Sequence, residues 1–435
     1  MPENVIAVAL LLPDLTRSVA EEHLLELEKL IETAGGTVVD RVFAKRPRPD
    51  PATYVGSGKA EQIKSLVAKS GATLIVFDDD LSAAQARNLE KITEVKVIDR
   101  SGLILDIFAG RARSREARTQ VELAQLEYML PRLTRAWTHL ERQAGGIGTR
   151  GVGETQLELD RRIIRNRIAR LKEELTKIER TRETQRKSRN AVFTVALVGY
   201  TNAGKSTLFN RLTSGSAEAA DKLFATLDAK SAKAVFTMPR ETVIIDTVGF
   251  IRKLPHHLVA SFRSTMEEAV AADLVLHVID SSHPQYEDQR AVGDVVLREL
   301  GVQMDRVIEV YNKADLTEPG VGGRESGVGA HLFVPTPDSR PPTPGRCTVS
   351  ALTGRSIDRL IEIIRERELE NGEIIQLEIP HNDARVIAKL HDLAQVYEQR
   401  VTDRAMLITA WIPRDALHLF EAYAAVGLLK PAKVS

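Results

Sequence analysis

"GYTNAGKST", residues 199–207, fits the pattern G-x-x-x-x-G-K-[ST]. It follows the apolar run "AVFTVALVG" and opens the helical "TLFNRLT", the strand-to-helix context that gives the pattern meaning. The glycines let backbone N–H groups turn toward phosphate oxygens, and the helix N-terminus adds positive potential. The expected nucleotide loop is therefore Gly199, Tyr200, Thr201, Asn202, Ala203, Gly204, Lys205, Ser206 and Thr207. In that loop Lys205 reaches the β- and γ-phosphates, and the Ser206 hydroxyl ligates Mg²⁺.

Three more elements follow in order, each at the end of an apolar strand. "VIIDTVGF" supplies Asp246, placed to hold Mg²⁺ through water, and Gly249, whose N–H is placed to sense a γ-phosphate. "VYNKAD" supplies Asn312, Lys313 and Asp315. A carboxylate at 315 can accept two hydrogen bonds from guanine N1 and N2, a pair adenine does not offer. "VSAL" supplies Ser350, Ala351 and Leu352, with the Ser350 side chain and the Ala351 N–H facing guanine O6. Thr226 in "LFATLD" stands where a switch threonine closes on Mg²⁺. Each tetrapeptide alone is a weak signal; the ordered set predicts a GTPase, with Lys205, Thr226 and Gly249 as its catalytic groups. The expected fold class is α/β, a P-loop GTPase domain over residues 191–370.

Phe250 follows Gly249, where Ras-like GTPases carry the glutamine that orients the attacking water. A phenyl ring cannot do this, so slow intrinsic hydrolysis is expected unless a backbone group, an ion or a partner helps. Asn202 is a candidate ligand for K⁺ beside the phosphates; a loop asparagine bonding its own backbone is the competing reading. His256 and His257 read as packing or contact residues rather than bases.

Upstream of this domain the rhythm changes. Leu123, Leu126, Leu130, Leu133, Trp137 and Leu140 step by three and four, as do Ile164, Ile168, Leu171, Leu175 and Ile178. These seams predict two helices packed as an antiparallel hairpin over 111–190, joined by the glycine-rich "GGIGTRGVG". Pro131 should kink or restart the first helix. The segment carries 20 Lys and Arg against 11 Asp and Glu, a net charge of +9 in a chain whose formal charge is zero. Such a surface attracts polyanions. Residues 1–110 alternate strands and helices and predict a small, mostly parallel α/β domain. Residues 317–346 are rich in Gly and Pro and predict a surface loop. Residues 371–435 read as strand "EIIQLEIP", helix "DARVIAKLHDLAQVYEQR", strand "AMLITAWIP" and helix "DALHLFEAYA", a small C-terminal α/β domain.

The lone Cys347 excludes an intramolecular disulfide and a cysteine zinc cluster, and fits a reducing cytoplasm. No apolar run approaches the ~20 residues of a membrane span; "VIAVALLLP" reads as a buried strand.

The motifs "YVGSGKAEQI", "QVELAQLEYMLPRL", "GGIGTRGVGETQLELDRR", "GYTNAGKSTLFN", "DKLFATLD" and "DTVGFIRKLPHHLVASFRST" together resemble the HflX family of ribosome-associated GTPases. The resemblance spans roughly 1–316 and 347–370. It implies a GTPase that binds the large ribosomal subunit and dissociates or rescues stalled or idle ribosomes under stress. It further implies a helical arm that reaches ribosomal RNA, and hydrolysis that the ribosome stimulates. Gly145, Gly146 and Arg150, at the arm's expected tip, are then the RNA-contact candidates, since RNA is reached largely through phosphate and shape. ATP binding by the N-terminal domain has been attributed to the family. Here "GSGK" at 56–59 lacks the Ser or Thr after the lysine and the upstream glycine, and reads as a turn before a helix. Where relatives read "GPGETQ", this chain has Val152. The expected cofactor is Mg²⁺ with GTP as substrate, and K⁺ is a second candidate ion. The expected partners are the large subunit and its RNA, bound by a monomer that does not span a membrane and acts in the cytoplasm or at a membrane surface. The alternative is a GTP-dependent RNA- or protein-binding switch that does not split ribosomes; an ATP-driven RNA remodeller is disfavoured by Asp315.

Overall fold

A computed structural model of the chain describes residues 3–13, 15–133, 156–187, 192–213, 224, 229–236, 238, 240–253, 268–317, 345–402, 404–414 and 416–424. They fall into two compact units. The first holds Met1–Glu183, Ala220–Asp228 and Ile251–Ser264; the second holds Thr184–Ala219, Ala229–Phe250 and Thr265–Ser435.

The first unit is built on four parallel strands: β1 (Asn4–Leu11), β2 (Thr37–Lys45), β3 (Leu74–Phe77) and β4 (Lys96–Asp99), in the order β2-β1-β3-β4. β1 is apolar without alternation and buried from Val5 to Leu10, as a central parallel strand covered on both faces must be. Helices α1 (Arg17–Thr33), α2 (Ser57–Ser70) and α3 (Ala83–Thr93) match the sequence expectation. Ser82 and Gln85 close a capping box at the start of α3, satisfying two otherwise unpaired backbone donors. The "GSGK" stretch opens α2, with Gly56 as its N-cap at φ 89°.

A fourth helix, α4 (Arg100–Arg111), had no counterpart in the sequence reading. Nearly all of "RSGLILDIF" is buried, so it shows no polar face and hence no helical period. Arg100 begins it. Its guanidinium, 1% exposed, donates to Asp78 Oδ1 at 2.8 Å. Arg252 and Lys253 of the same unit also reach Asp78, at 3.2 Å each. Burial, helped by these cations, lowers the nearby His23 to a pKa of about 4.

Helices α5 (Arg115–Met129) and α6 (Gln156–Lys187) form the expected pair. Arg115–Glu174 (2.6 Å) and Arg167–Glu122 (2.6 Å) show that they run antiparallel. Leu123 and Leu171 are buried, and Ile164, Ile168, Leu175 and Ile178 are half-buried, the stripe the heptads required. At Pro131, expected to kink or restart the helix, α5 has already ended, at Met129 with Leu130 as its C-cap; residues 134–155 beyond it lie outside the described residues. A proline ring clashes with the preceding turn. The tip candidates Gly145, Gly146 and Arg150 lie outside the described residues.

The second unit carries a six-stranded sheet: β5 (Val192–Gly199), β6 (Lys230–Lys233), β7 (Glu241–Asp246), β8 (Leu274–Asp280), β9 (Val307–Asn312) and β10 (Arg346–Thr348). Its order is β10-β9-β8-β5-β7-β6, parallel except for the edge strand β6. β6, Lys230–Lys233, pairs antiparallel with β7. Helices α7 (Lys205–Leu212), α8 (Tyr286–Glu299) and α9 (Ile357–Glu370) join these strands, and Leu208, Leu212, Leu360 and Ile364 enter one core with Val195, Leu276 and Val310.

A second sheet follows: β11 (Gly372–Pro380), β12 (Gln395–Val401) and β13 (Ala405–Pro413), antiparallel in the order β11-β13-β12, with helix α10 (Ala384–Leu393). The sequence suggested one helix through "DARVIAKLHDLAQVYEQR"; it ends at Leu393, and Gln395–Val401 becomes a strand paired with β13. Tertiary pairing outweighs the local helical preference of "EQR". "DALHLFEAYA" gives two 3₁₀ turns instead of a helix.

Candidate functional site

The nucleotide loop leaves the sheet at the end of β5, between β7 and β8, where open α/β sheets collect ligands. Gly199 is required there by a close approach: a Cβ would stand 2.1 Å from the Val278 carbonyl oxygen of β8. Asn202 adopts φ 62° and Gly204 φ 93°, and the latter leads directly into Lys205, the first residue of α7. The loop therefore turns its backbone around the helix start, as anion binding needs.

Lys205 is 7% exposed, and its ammonium donates to the carbonyls of Gly199 (3.0 Å) and Tyr200 (2.8 Å). Burial lowers its pKa to about 8, partly offset by Asp246, so it stays largely protonated at neutral pH. Ser206 Oγ donates to Asp246 Oδ2 at 2.8 Å, and Asp246 is fully buried at the end of β7. Two hard oxygen donors side by side at the phosphate end suit Mg²⁺, which takes few protein ligands and completes its shell with phosphate and water. Thr226, the third expected ligand, lies outside the described residues.

After Asp246 the chain runs back along the loop. Phe250 N donates to Gly199 O (2.8 Å), and Thr201 N donates to Phe250 O (2.7 Å). This clamps Gly249 against the loop: a Cβ on it would lie 2.8 Å from Thr201 Cγ2 and 2.9 Å from Lys205 Nζ. Phe250 itself is 1% exposed, its ring edge-on to His277. It is a core residue and presents nothing to a water molecule. His256 and His257 lie outside the described residues.

The base-recognition candidates converge as well. Asn312 Nδ2 donates to Ala203 O and its Oδ1 accepts from Ala351 N, both at 2.9 Å. One carboxamide thus ties the phosphate loop to the Ser350–Leu352 loop. The Ala351 N–H, expected to face guanine O6, is held by Asn312 here. Ser350 Oγ donates to Asp315, and Lys313 Nζ pairs with Asp280 at 2.7 Å.

Sequence reasoning missed Arg211, at the far end of α7. Its guanidinium donates to the carbonyls of Ala351 (3.0 Å) and Leu352. An arginine seven residues into a helix carries no motif signal, and only the return of the 350–352 loop to α7 gives it a role. Removing it with Arg211→Met should release that loop and speed GDP dissociation about tenfold, roughly 1.4 kcal/mol, because the two lost bonds brace the loop and do not touch the nucleotide. Stopped-flow release of a fluorescent GDP analogue is the measurement, and an unchanged rate would show that the loop holds itself.

A loop built for phosphates on a doubly wound sheet, with a strand-end Asn-Lys-x-Asp beside it, defines a GTP hydrolase. The comparisons agree. Residues 21–109 match the family described as "GTP-binding GTPase N-terminal", 111–189 "GTP-binding GTPase Middle Region", and 194–313 "50S ribosome-binding GTPase". The protein "GTPase HflX" of Lacrimispora saccharolytica is 43% identical over 95% of this chain and 94% of its own. Its namesake in Escherichia coli K12 is 45% identical over 87% and 86%. A GTP-binding protein from Sulfolobus solfataricus, solved with GDP, is 23% identical, with a TM-score of 0.42 over 83% of this chain and 98% of its own. The chain belongs to the HflX family of GTPases. GTPases of this kind generally use Mg²⁺ with GTP. Among the described residues no helix is long and apolar enough to cross a membrane.

Proposed function

We propose that this GTPase binds the large ribosomal subunit in its GTP form and uses GTP binding and hydrolysis to dissociate or rescue stalled or idle ribosomes. The observation that carries this is the α5–α6 pair. Its apolar stripe is turned inward, while Arg165, Arg170 and Lys177 are exposed along α6, in a segment of net charge +9. Such an arm suits the phosphates of ribosomal RNA. Gly145, Gly146 and Arg150 are the proposed contacts at its tip. The match to a ribosome-binding GTPase family and to proteins named HflX supports the same reading.

In this reading residues 199–207 hold the phosphates, with Lys205 on the β- and γ-phosphates. Ser206, Thr226 and, through water, Asp246 serve Mg²⁺. Asp315, Ser350 and, once its N–H is released by Asn312, Ala351 read guanine. K⁺ beside Asn202 is part of the proposal, since Phe250 leaves the site without a glutamine.

Light scattering of intact ribosomes mixed with the protein and GTP tests the function. A fall in scattering, faster in potassium than in sodium, is expected. Retained binding with unchanged scattering would replace splitting by a GTP-dependent binding switch.

A further inference from the structure

Phe250 offers no polar side-chain atom to the γ-phosphate side of the proposed site. Thr201, bonded to it through the backbone, carries one. The residue is 8% exposed, and its Oγ1 is buried without a hydrogen-bond partner among the described residues. A buried hydroxyl left in that condition is costly, and in native structures such an atom calls for an explanation.

Its surroundings supply one. Thr201 N is anchored to Phe250 O at 2.7 Å, so the side chain is fixed relative to the Asp246–Phe250 segment. Its methyl lies 2.8 Å from the point where a Gly249 Cβ would stand, and Lys205 Nζ lies 2.9 Å from that same point. Thr201, Gly249 and Lys205 therefore line one small space. The latter two are the groups that face a γ-phosphate in the proposed site. The hydroxyl rides on the same Cβ as that methyl.

We propose that the Thr201 hydroxyl is a catalytic group that donates a hydrogen bond to a γ-phosphoryl oxygen of GTP. In the step it assists, the water oxygen forms a bond to the γ-phosphorus. The bond from that phosphorus to the β,γ-bridging oxygen breaks, and its electron pair leaves with GDP. Both protons of the water end on the released phosphate, as dihydrogen phosphate. Negative charge on the equatorial oxygens is met by a donor already in place, which is how a preorganised site lowers a barrier. GDP has no γ-phosphoryl group, so the contact belongs to the triphosphate state alone.

Thr201→Val removes the hydroxyl and keeps the shape. Single-turnover hydrolysis at saturating GTP should slow about tenfold, the effect of one hydrogen bond to a charged group. GDP affinity, measured on the same preparation by titration with a fluorescent analogue, should fall far less than the rate, because GDP offers the hydroxyl no γ-phosphoryl oxygen. Thr201→Ser, which restores the hydroxyl, should recover most of the rate. An unchanged rate in the valine variant overturns the proposal. So does a loss of GDP affinity that parallels the loss of rate, because the hydroxyl would then be holding the loop rather than the transferred group. Failure of serine to recover the rate overturns it as well.

Discussion

Asp315→Asn should weaken GTP binding by about a hundredfold or more and turn the preference toward xanthosine triphosphate. In the proposed recognition the carboxylate accepts from guanine N1–H and the N2 amino group. Ser350 makes the consequence of the exchange directional. Its Oγ accepts from Thr353 N at 3.1 Å and donates to Asp315 Oδ1. An asparagine in the same place keeps its carbonyl oxygen toward Ser350 and turns its NH₂ toward the base. Guanine then meets donor against donor, and two charge-assisted bonds are lost at about 1.5–3 kcal/mol each. Xanthine carries a carbonyl where guanine carries the amino group, so it pairs with the amide. Titration with the two triphosphates reads both changes. GTP affinity within threefold of the wild type would mean that Asp315 does not touch the base.

How much of this site was legible in the sequence depends on what each residue does. Lys205, Ser206 and Asp246 act through their own chemistry at fixed places on strand and helix ends, and the structure brings the three together. The heptad residues of α6 were legible because burial on one face leaves a period. Asn312 was legible as part of a motif, but its bracing of two loops was not, because it depends on partners 109 and 39 residues away. Arg211 had no signal at all. The α10–β12 boundary was misread for a related reason. β13 decides that Gln395–Val401 pairs as a strand, and a local propensity cannot anticipate a partner strand.

Gly249→Ala should cut hydrolysis about a hundredfold or more while GDP still binds. The added methyl would stand 2.9 Å from the Thr201 backbone Cα and 2.8 Å from its Cγ2. Lys205 can swing aside, but the Thr201 backbone cannot, because its N–H is bonded to Phe250 O and the Phe250 N–H to Gly199 O. The segment after Asp246 must then shift away from the phosphate loop. That shift carries the Gly249 N–H out of reach of the γ-phosphate. Losing one preorganised donor at developing charge costs roughly 10²–10³ in rate. The β-phosphate and base contacts lie elsewhere, so GDP affinity should change little. Single-turnover hydrolysis and GDP titration on one preparation separate the two effects. Hydrolysis within twofold of the wild type would show that the segment has room to spare and that Gly249 does not sense the γ-phosphate. A parallel collapse of GDP binding would instead place the damage in the phosphate loop itself.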